Sequence, residues 1–189
     1  MHIYLLLAHP DGESFCGALA DAYEAAAKAA GHEVRRQDLG ALAFDPILHK
    51  GYREIQELEP DLVQAQELIR WCEHWVIIYP VWWGSVPALL KGFMDRAVLP
   101  GFAFKPHDEG PLWDKLLKGR SAQLITTSDA PSLYLLLAYR NSDVAMMKKA
   151  VLDFCGIKPV KLTRLGSMKG ASDEKRATYL ETVRRLAGR

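Results

Sequence analysis

Two stretches of the chain, His2 to His9 (HIYLLLAH) and His74 to Val81 (HWVIIYPV), are almost unbroken in apolar character, and nothing else in the sequence constrains the fold as tightly. A strand with one wet face alternates apolar and polar residues. A continuous apolar run suits a strand buried on both faces, as inside a parallel sheet covered by helices. Each run is followed by helical spacing: an Ala-rich segment from Ser14 to Ala30 after the first, and Ala88 to Val98, with Pro87 at its first turn, after the second. Gly31 stops the first helix, and Glu33 to Leu39 then alternates as a strand. Residues 40–59, with Pro46 and Gly51, read as a long irregular surface connection. Asp61 to Trp71 carries Leu62, Ala65, Leu68 and Ile69 at helical spacing. Ala122 to Thr127 and Val160 to Leu165 read as strands, Asp143 to Phe154 and Asp173 to Leu186 as helices.

Strand and helix thus alternate five times. Right-handed crossovers then predict a doubly wound α/β domain, a five-stranded parallel sheet of order 2-1-3-4-5 with helices on both faces. A chain of 189 residues is expected to form one such domain, 1–189. Its ligand site is expected at the carboxyl ends of strands 1, 3 and 4, beside the switch point.

Composition excludes several function classes. With 24 Lys and Arg against 23 Asp and Glu, the chain has no cationic surplus for an extended nucleic-acid footprint. Its apolar runs fall far short of the roughly 20 residues that span a bilayer, so no direct membrane insertion is expected. Met1-His2-Ile3-Tyr4 carries no basic leader, which makes a cytoplasmic location the default. Cys16, Cys72 and Cys155 have no CxxC spacing and are expected as free thiols, the last two in the core, with no metal bound.

Three loops carry the chemistry. His9-Pro-Asp-Gly-Glu-Ser-Phe-Cys16 feeds the first helix, whose opening turn leaves amide N–H groups free for an anion. Ser14 can cap that helix and donate its hydroxyl to a phosphate, with His9 as a further donor. An ordinary serine cap beside a surface histidine explains the same residues equally well. The loop lacks GxGxxG and the chain lacks GxxxxGKS/T, so neither the dinucleotide fingerprint nor the P-loop applies. Tyr79-Pro-Val-Trp-Trp-Gly-Ser-Val-Pro87 places two indoles at the end of the central strand, where they suit a flat aromatic ligand, or else belong to the core or an oligomer interface. Gly84 signals close backbone approach or a positive φ. Thr126-Thr-Ser-Asp-Ala-Pro-Ser-Leu-Tyr134 brings hydroxyls and a phenol to the opposite edge, and the Tyr134 phenol can donate to an oxygen that gains negative charge.

At these loops the sequence resembles the NAD(P)H dehydrogenase (quinone) family of flavodoxin-like fold, which includes quinone reductases and flavoprotein partners of potassium efflux systems. The resemblance covers nearly the whole chain and is most specific from Pro80 to Arg96 (PVWWGSVPALLKGFMDR) and from Pro100 to Phe104 (PGFAF). It implies that His9, Ser14, Phe15 and Cys16 hold a flavin phosphate and that Pro80, Val81, Trp82, Trp83 and Gly84 lie against the isoalloxazine ring. Thr126 and Thr127 match the family's Thr-Thr pair, but Ser128 and Asp129 follow where two glycines normally contact the ring edge. Tyr134 matches a tyrosine near the flavin carbonyl. A nearby histidine of the family is missing, and Arg140 takes its place, either offsetting charge on the reduced ring or serving as a solvated helix-face charge.

The activity implied is ping-pong hydride transfer from NAD(P)H through FMN, with FAD as the alternative, to a quinone or similar flat acceptor. A homodimer is implied too, with Phe102, Phe104 and the 40–59 connection as candidate interface elements. Two other functions compete. A one-electron flavodoxin carrier usually needs a strongly acidic docking surface, which a net charge of +1 does not supply. A regulatory flavoprotein subunit of a membrane transport system is compatible with the same residues.

Overall fold

The computed structural model describes residues 1–188. Among the described residues there are seven strands: β1 (His2–Leu7), β2 (Glu33–Asp38), β3 (His74–Pro80), β4 (Phe104–Pro106), β5 (Trp113–Lys115), β6 (Ser121–Thr127) and β7 (Val160–Leu165). Five of them form one parallel sheet in the order β2-β1-β3-β6-β7. Leaving out the small β4–β5 hairpin, this is the expected 2-1-3-4-5.

The two apolar runs are apolar throughout because each serves two cores. In β1, Ile3, Leu5 and Leu7 face one side, where they meet Leu19 and Tyr23 of α1 (Phe15–Ala29) and Val183 of α6 (Asp173–Ala187). Tyr4 and Leu6 face the other, with Leu68 of α2 (Pro60–Trp71), Phe93 of α3 (Ala88–Ala97) and Met147. β3 divides likewise, Val76 and Ile78 against Trp75 and Ile77. Fully burying such aliphatic side chains contributes about 1.5–3 kcal/mol each, so neither strand tolerates a polar residue on either face.

Three elements differ from expectation. The segment after β6 is not all loop: α4 (Ser132–Tyr139) begins within it and places Tyr134 on a helix. Its run of leucines has no helical polar stripe, so periodicity gives no sign of it. The helix expected from Asp143 is a short α5 (Ser142–Ala145) that widens into a π-helix, Met146–Asp153. The β4–β5 hairpin has strands of only three residues, too short for an alternation to register. It is held by Trp113, whose Nε1–H donates to the Phe154 carbonyl at 2.9 Å while its ring stacks on Phe154 at 4.3 Å.

The 40–59 connection opens with a 3₁₀ turn, Leu39–Ala41, and is otherwise irregular. Arg96 of α3, fully buried, pins it by donating to the Asp45 and Glu57 carbonyls at 2.5 and 2.8 Å and to Glu59 Oε2 at 2.9 Å. Phe102 is not an exposed interface aromatic: it is buried within the chain beneath the Arg70 guanidinium, 4.7 Å from the ring centre. Phe104 is half-buried, edge-on to Phe154 at 4.9 Å. All three cysteines are free and buried. Burial pushes the Cys16 thiol up to about 11 and those of Cys72 and Cys155 up to about 12.

Candidate functional site: a two-part cleft at the strand ends

The carboxyl ends of β1, β3 and β6 open onto two adjoining clefts, each of about 330 Å³, which share Pro80, Thr127, Asp129 and Met168. One is aromatic and flat-walled, lined by Val81, Trp82, Trp83, Gly84, Ser128, Tyr134, Leu135 and Tyr139. The other is polar and cationic, lined by His9, Ser14, Phe15, Cys16, Lys169, Gly170 and Arg176.

The polar cleft is organised by the start of α1. Ser14 caps the helix, its Oγ accepting from the Gly17 amide at 3.3 Å, which leaves the hydroxyl proton free to donate outward. The first turn leaves the Phe15 and Cys16 amides without intrahelical acceptors. Gly17 lets this loop fold back on the helix: a Cβ there would lie 1.9 Å from the Gly12 carbonyl oxygen. His9 Nδ1 is held against the Asp11 backbone, 2.9 Å from its amide nitrogen and 2.8 Å from its carbonyl oxygen. Cys16 Sγ is hydrogen-bonded to Thr127 Oγ1 at 3.3 Å, joining the floor of the cleft to β6. With its pKa raised by burial, this thiol is neutral and packs the floor.

The aromatic cleft is shaped by a four-residue turn. Trp82 and Ser85 exchange both backbone hydrogen bonds, at 3.0 and 2.9 Å, and the central residues Trp83 and Gly84 have φ of 52° and 68°. Two positive φ values are what a type I′ turn requires, and a tryptophan there is strained where asparagine or glycine is relaxed. The strain turns the Trp83 indole entirely outward, 102% exposed, beside Trp82 at 43%. Neither indole belongs to the core. Across the cleft, Tyr134 is edge-on to Tyr139 at 5.7 Å, and the Tyr139 ring lies so close to Gly84 that a Cβ would meet its Cδ1 at 2.9 Å.

Nearly all the residues expected from sequence therefore converge. Thr126 does not: it is fully buried beneath the cleft, and its hydroxyl has no hydrogen-bond partner among the described residues. Arg140 is exposed and left-handed at the end of α4, outside the walls of both clefts, and its neighbour Tyr139 lines the cleft instead. Asp129 is present in both clefts, an exposed carboxylate where the resemblance leads one to expect glycine. Met168, Lys169 and Arg176 were not legible in the sequence. Met168 and Lys169 come from the β7–α6 connection and Arg176 from the first turns of α6, which the packing of α6 against α1 brings beside the first loop; Arg176 sits over the Phe15 ring at 5.3 Å.

These residues fit a flavin. The aromatic part suits a flat ring, and the free α1 amides with Ser14, His9, Lys169 and Arg176 suit an anionic tail.

Comparison with known proteins agrees with this geometry. A Streptococcus mutans crystal structure superposes with a TM-score of 0.84 at 31% identity, covering 100% of this chain and 99% of that one. The NAD(P)H:quinone oxidoreductase of Methanothermobacter marburgensis gives 0.82 at 25% identity, covering 100% and 98%. An uncharacterized NAD(P)H oxidoreductase of Haemophilus influenzae is 28% identical over 96% of this chain and 91% of its own length. NAD(P)H dehydrogenase [quinone] 1 of Rattus norvegicus is 27% identical over 94% and 73%. A family model described as a flavodoxin-like fold matches residues 1–187, and the chain accordingly belongs to that family, among relatives that are NAD(P)H dehydrogenases of the quinone type.

Proposed function

We propose that the protein is a flavin-dependent NAD(P)H:quinone oxidoreductase that holds FMN and works as a homodimer. The observation that carries this reading is the junction at Pro80 and Thr127: an aromatic cleft and a cationic cleft meet there, at the switch point of the sheet. The flavin, when bound, supplies the hydride chemistry, taking two electrons from NAD(P)H and passing them to a quinone or another flat acceptor.

The chain's own residues do the rest. Ser14 and the Phe15 and Cys16 amides fasten the phosphate, and Lys169 and Arg176 supply charge beside it. Pro80, Val81 and the two indoles provide the apolar surface on which a ring and then an acceptor can lie. Tyr134 is half exposed at the cleft wall and donates its phenolic hydrogen to an oxygen that becomes more negative on reduction. The Thr127 hydroxyl and the 127–129 backbone take the place of the ring-edge glycines. Thr126 supports them from beneath.

An absorption spectrum of the purified protein, with chromatography of the released cofactor, tests the first half of the proposal and tells FMN from FAD. Anaerobic addition of NADPH or NADH tests the second. Bleaching of the flavin band followed by recovery on quinone addition is expected. Protein that is colourless and takes up neither FMN nor FAD overturns the reading. A flavin that only dithionite reduces points to a one-electron carrier. Tyr134→Phe is expected to slow turnover about tenfold with flavin retained; an unchanged rate reduces Tyr134 to a wall residue.

A further inference from the structure

Arg164 lines neither cleft. It sits near the end of the edge strand β7, beside Thr126 in the register, with its side chain only 10% exposed. The two prongs of its guanidinium go to two residues: Nη2 contacts both carboxylate oxygens of Asp143, Oδ1 at 2.9 Å and Oδ2 at 2.8 Å, while Nη1 donates to Asn141 Oδ1 at 2.5 Å. Asp143 is fully buried, and its backbone carbonyl accepts from the Tyr79 hydroxyl at 3.3 Å. The residues so gripped form the corner where α4 ends. Arg140 and Asn141, consecutive, have φ of 51° and 57°, an unfavourable pairing for side-chain-bearing residues. Ser142 then donates its hydroxyl to the Gly84 carbonyl at 2.9 Å, tying the same corner to the strained tryptophan turn.

Helix α4 needs such a corner. It has eight residues, of which only Leu135 is buried, and a helix that short does not hold itself in water. A buried ion pair is poor evidence of stability, because desolvating both charges offsets their attraction, and an apolar pair would pack as well. What a planar fork adds is direction: it fixes angle as well as distance.

We propose that Arg164 is a positioning residue for the cleft, acting through Asn141 and Asp143 to hold α4 so that Tyr134 and Tyr139 form the wall opposite Trp83. This deepens the oxidoreductase reading and rests on it for its consequence in turnover, while the mechanical part stands apart from any cofactor.

The experiment has two arms and uses the whole chain. Arg164→Lys keeps the charge and loses the fork. Asn141→Gly keeps the left-handed backbone and removes the amide contact without stranding a buried charge, so it stays informative if the lysine variant folds poorly. In the first arm, amide hydrogen exchange is measured on flavin-free protein. Residues 132–139 are expected to exchange at least about tenfold faster in either variant while β3 and β6 keep their protection. If β3 and β6 speed up together with α4, or α4 does not change, Arg164 is merely structural and the proposal fails. In the second arm, on flavin-loaded protein, KM for a quinone is expected to rise about fivefold or more with a smaller change in kcat, since the wall is displaced and not removed. An equal loss of both, or no change, overturns the role in turnover. Failure to bind any flavin defeats the oxidoreductase reading and leaves the exchange result to decide the latch.

Discussion

At the scale of single residues, the cleft shows where function and stability pull apart. Trp83 occupies a left-handed turn position that asparagine fills without strain, and its indole touches little of the protein's own surface. Trp83→Asn is expected to raise stability by about 1 kcal/mol and to weaken FMN binding, read by thermal melts and by flavin fluorescence titration. A variant no more stable than the parent removes the strain argument. Asp129 places a carboxylate between ring and phosphate sites; Asp129→Asn is expected to tighten FMN severalfold by removing like-charge repulsion, and weaker binding would mean that the carboxylate contacts the cofactor favourably.

His74 makes a different point, remote from the cleft. Burial first, then Lys161 and His32, lowers its pKa from the ordinary 6.5 to about 4. Its Nδ1 is hydrogen-bonded to the Ser121 hydroxyl at 2.7 Å. Because the unfolded chain binds this proton near pH 6.5 and the folded one only near 4, stability falls as the pH drops through that window, by about 1–3 kcal/mol. His74→Gln should flatten the fall in Tm between pH 6.5 and 5, and an unchanged pH profile would show that the imidazole is solvated.

At the scale of elements, legibility followed burial. The continuous apolar runs, the Ser14 cap and the Gly31 stop each act within a few residues of themselves, and each reads directly from the sequence. Arg164 reaches its role only through strand order, and Met168, Lys169 and Arg176 only through the packing of α6 on α1, so no local pattern marks them. Between these extremes lies the 40–59 connection, whose irregularity was evident but whose anchor was not. Arg96 looks like one more charge on α3 until its three acceptors on the connection are seen. Arg96→Met strands the Glu59 carboxylate and the Asp45 and Glu57 carbonyls in part-buried surroundings, and a loss of about 3 kcal/mol or more is expected. Because these arginine contacts fall at Asp45, Glu57 and Glu59, on either side of the segment between them, limited proteolysis should cut first between residues 47 and 56; cutting elsewhere would show that the arginine supports the domain generally.

At the scale of the whole molecule, the flavodoxin-like order was accessible from alternation alone, because two buried strands and their helices leave few right-handed ways to pack. The outer face of α4 is what the single chain does not explain. Leu133, Leu136, Leu137 and Tyr139 are 63%, 47%, 70% and 43% exposed, and Trp83 stands beside them. A continuous apolar surface around a cleft mouth marks a contact with another molecule. In the proposed homodimer, a second copy of the chain would cover this face while closing the cleft over its ligand. Leu137→Glu places a charge at the centre of that face without touching the core. It is expected to shift sedimentation from dimer to monomer and to lower turnover about tenfold or more at an unchanged melting profile of the isolated domain. A parent protein that sediments as a monomer with full turnover at every concentration would leave the leucines without a partner, and the homodimer in the proposed function would fall with them.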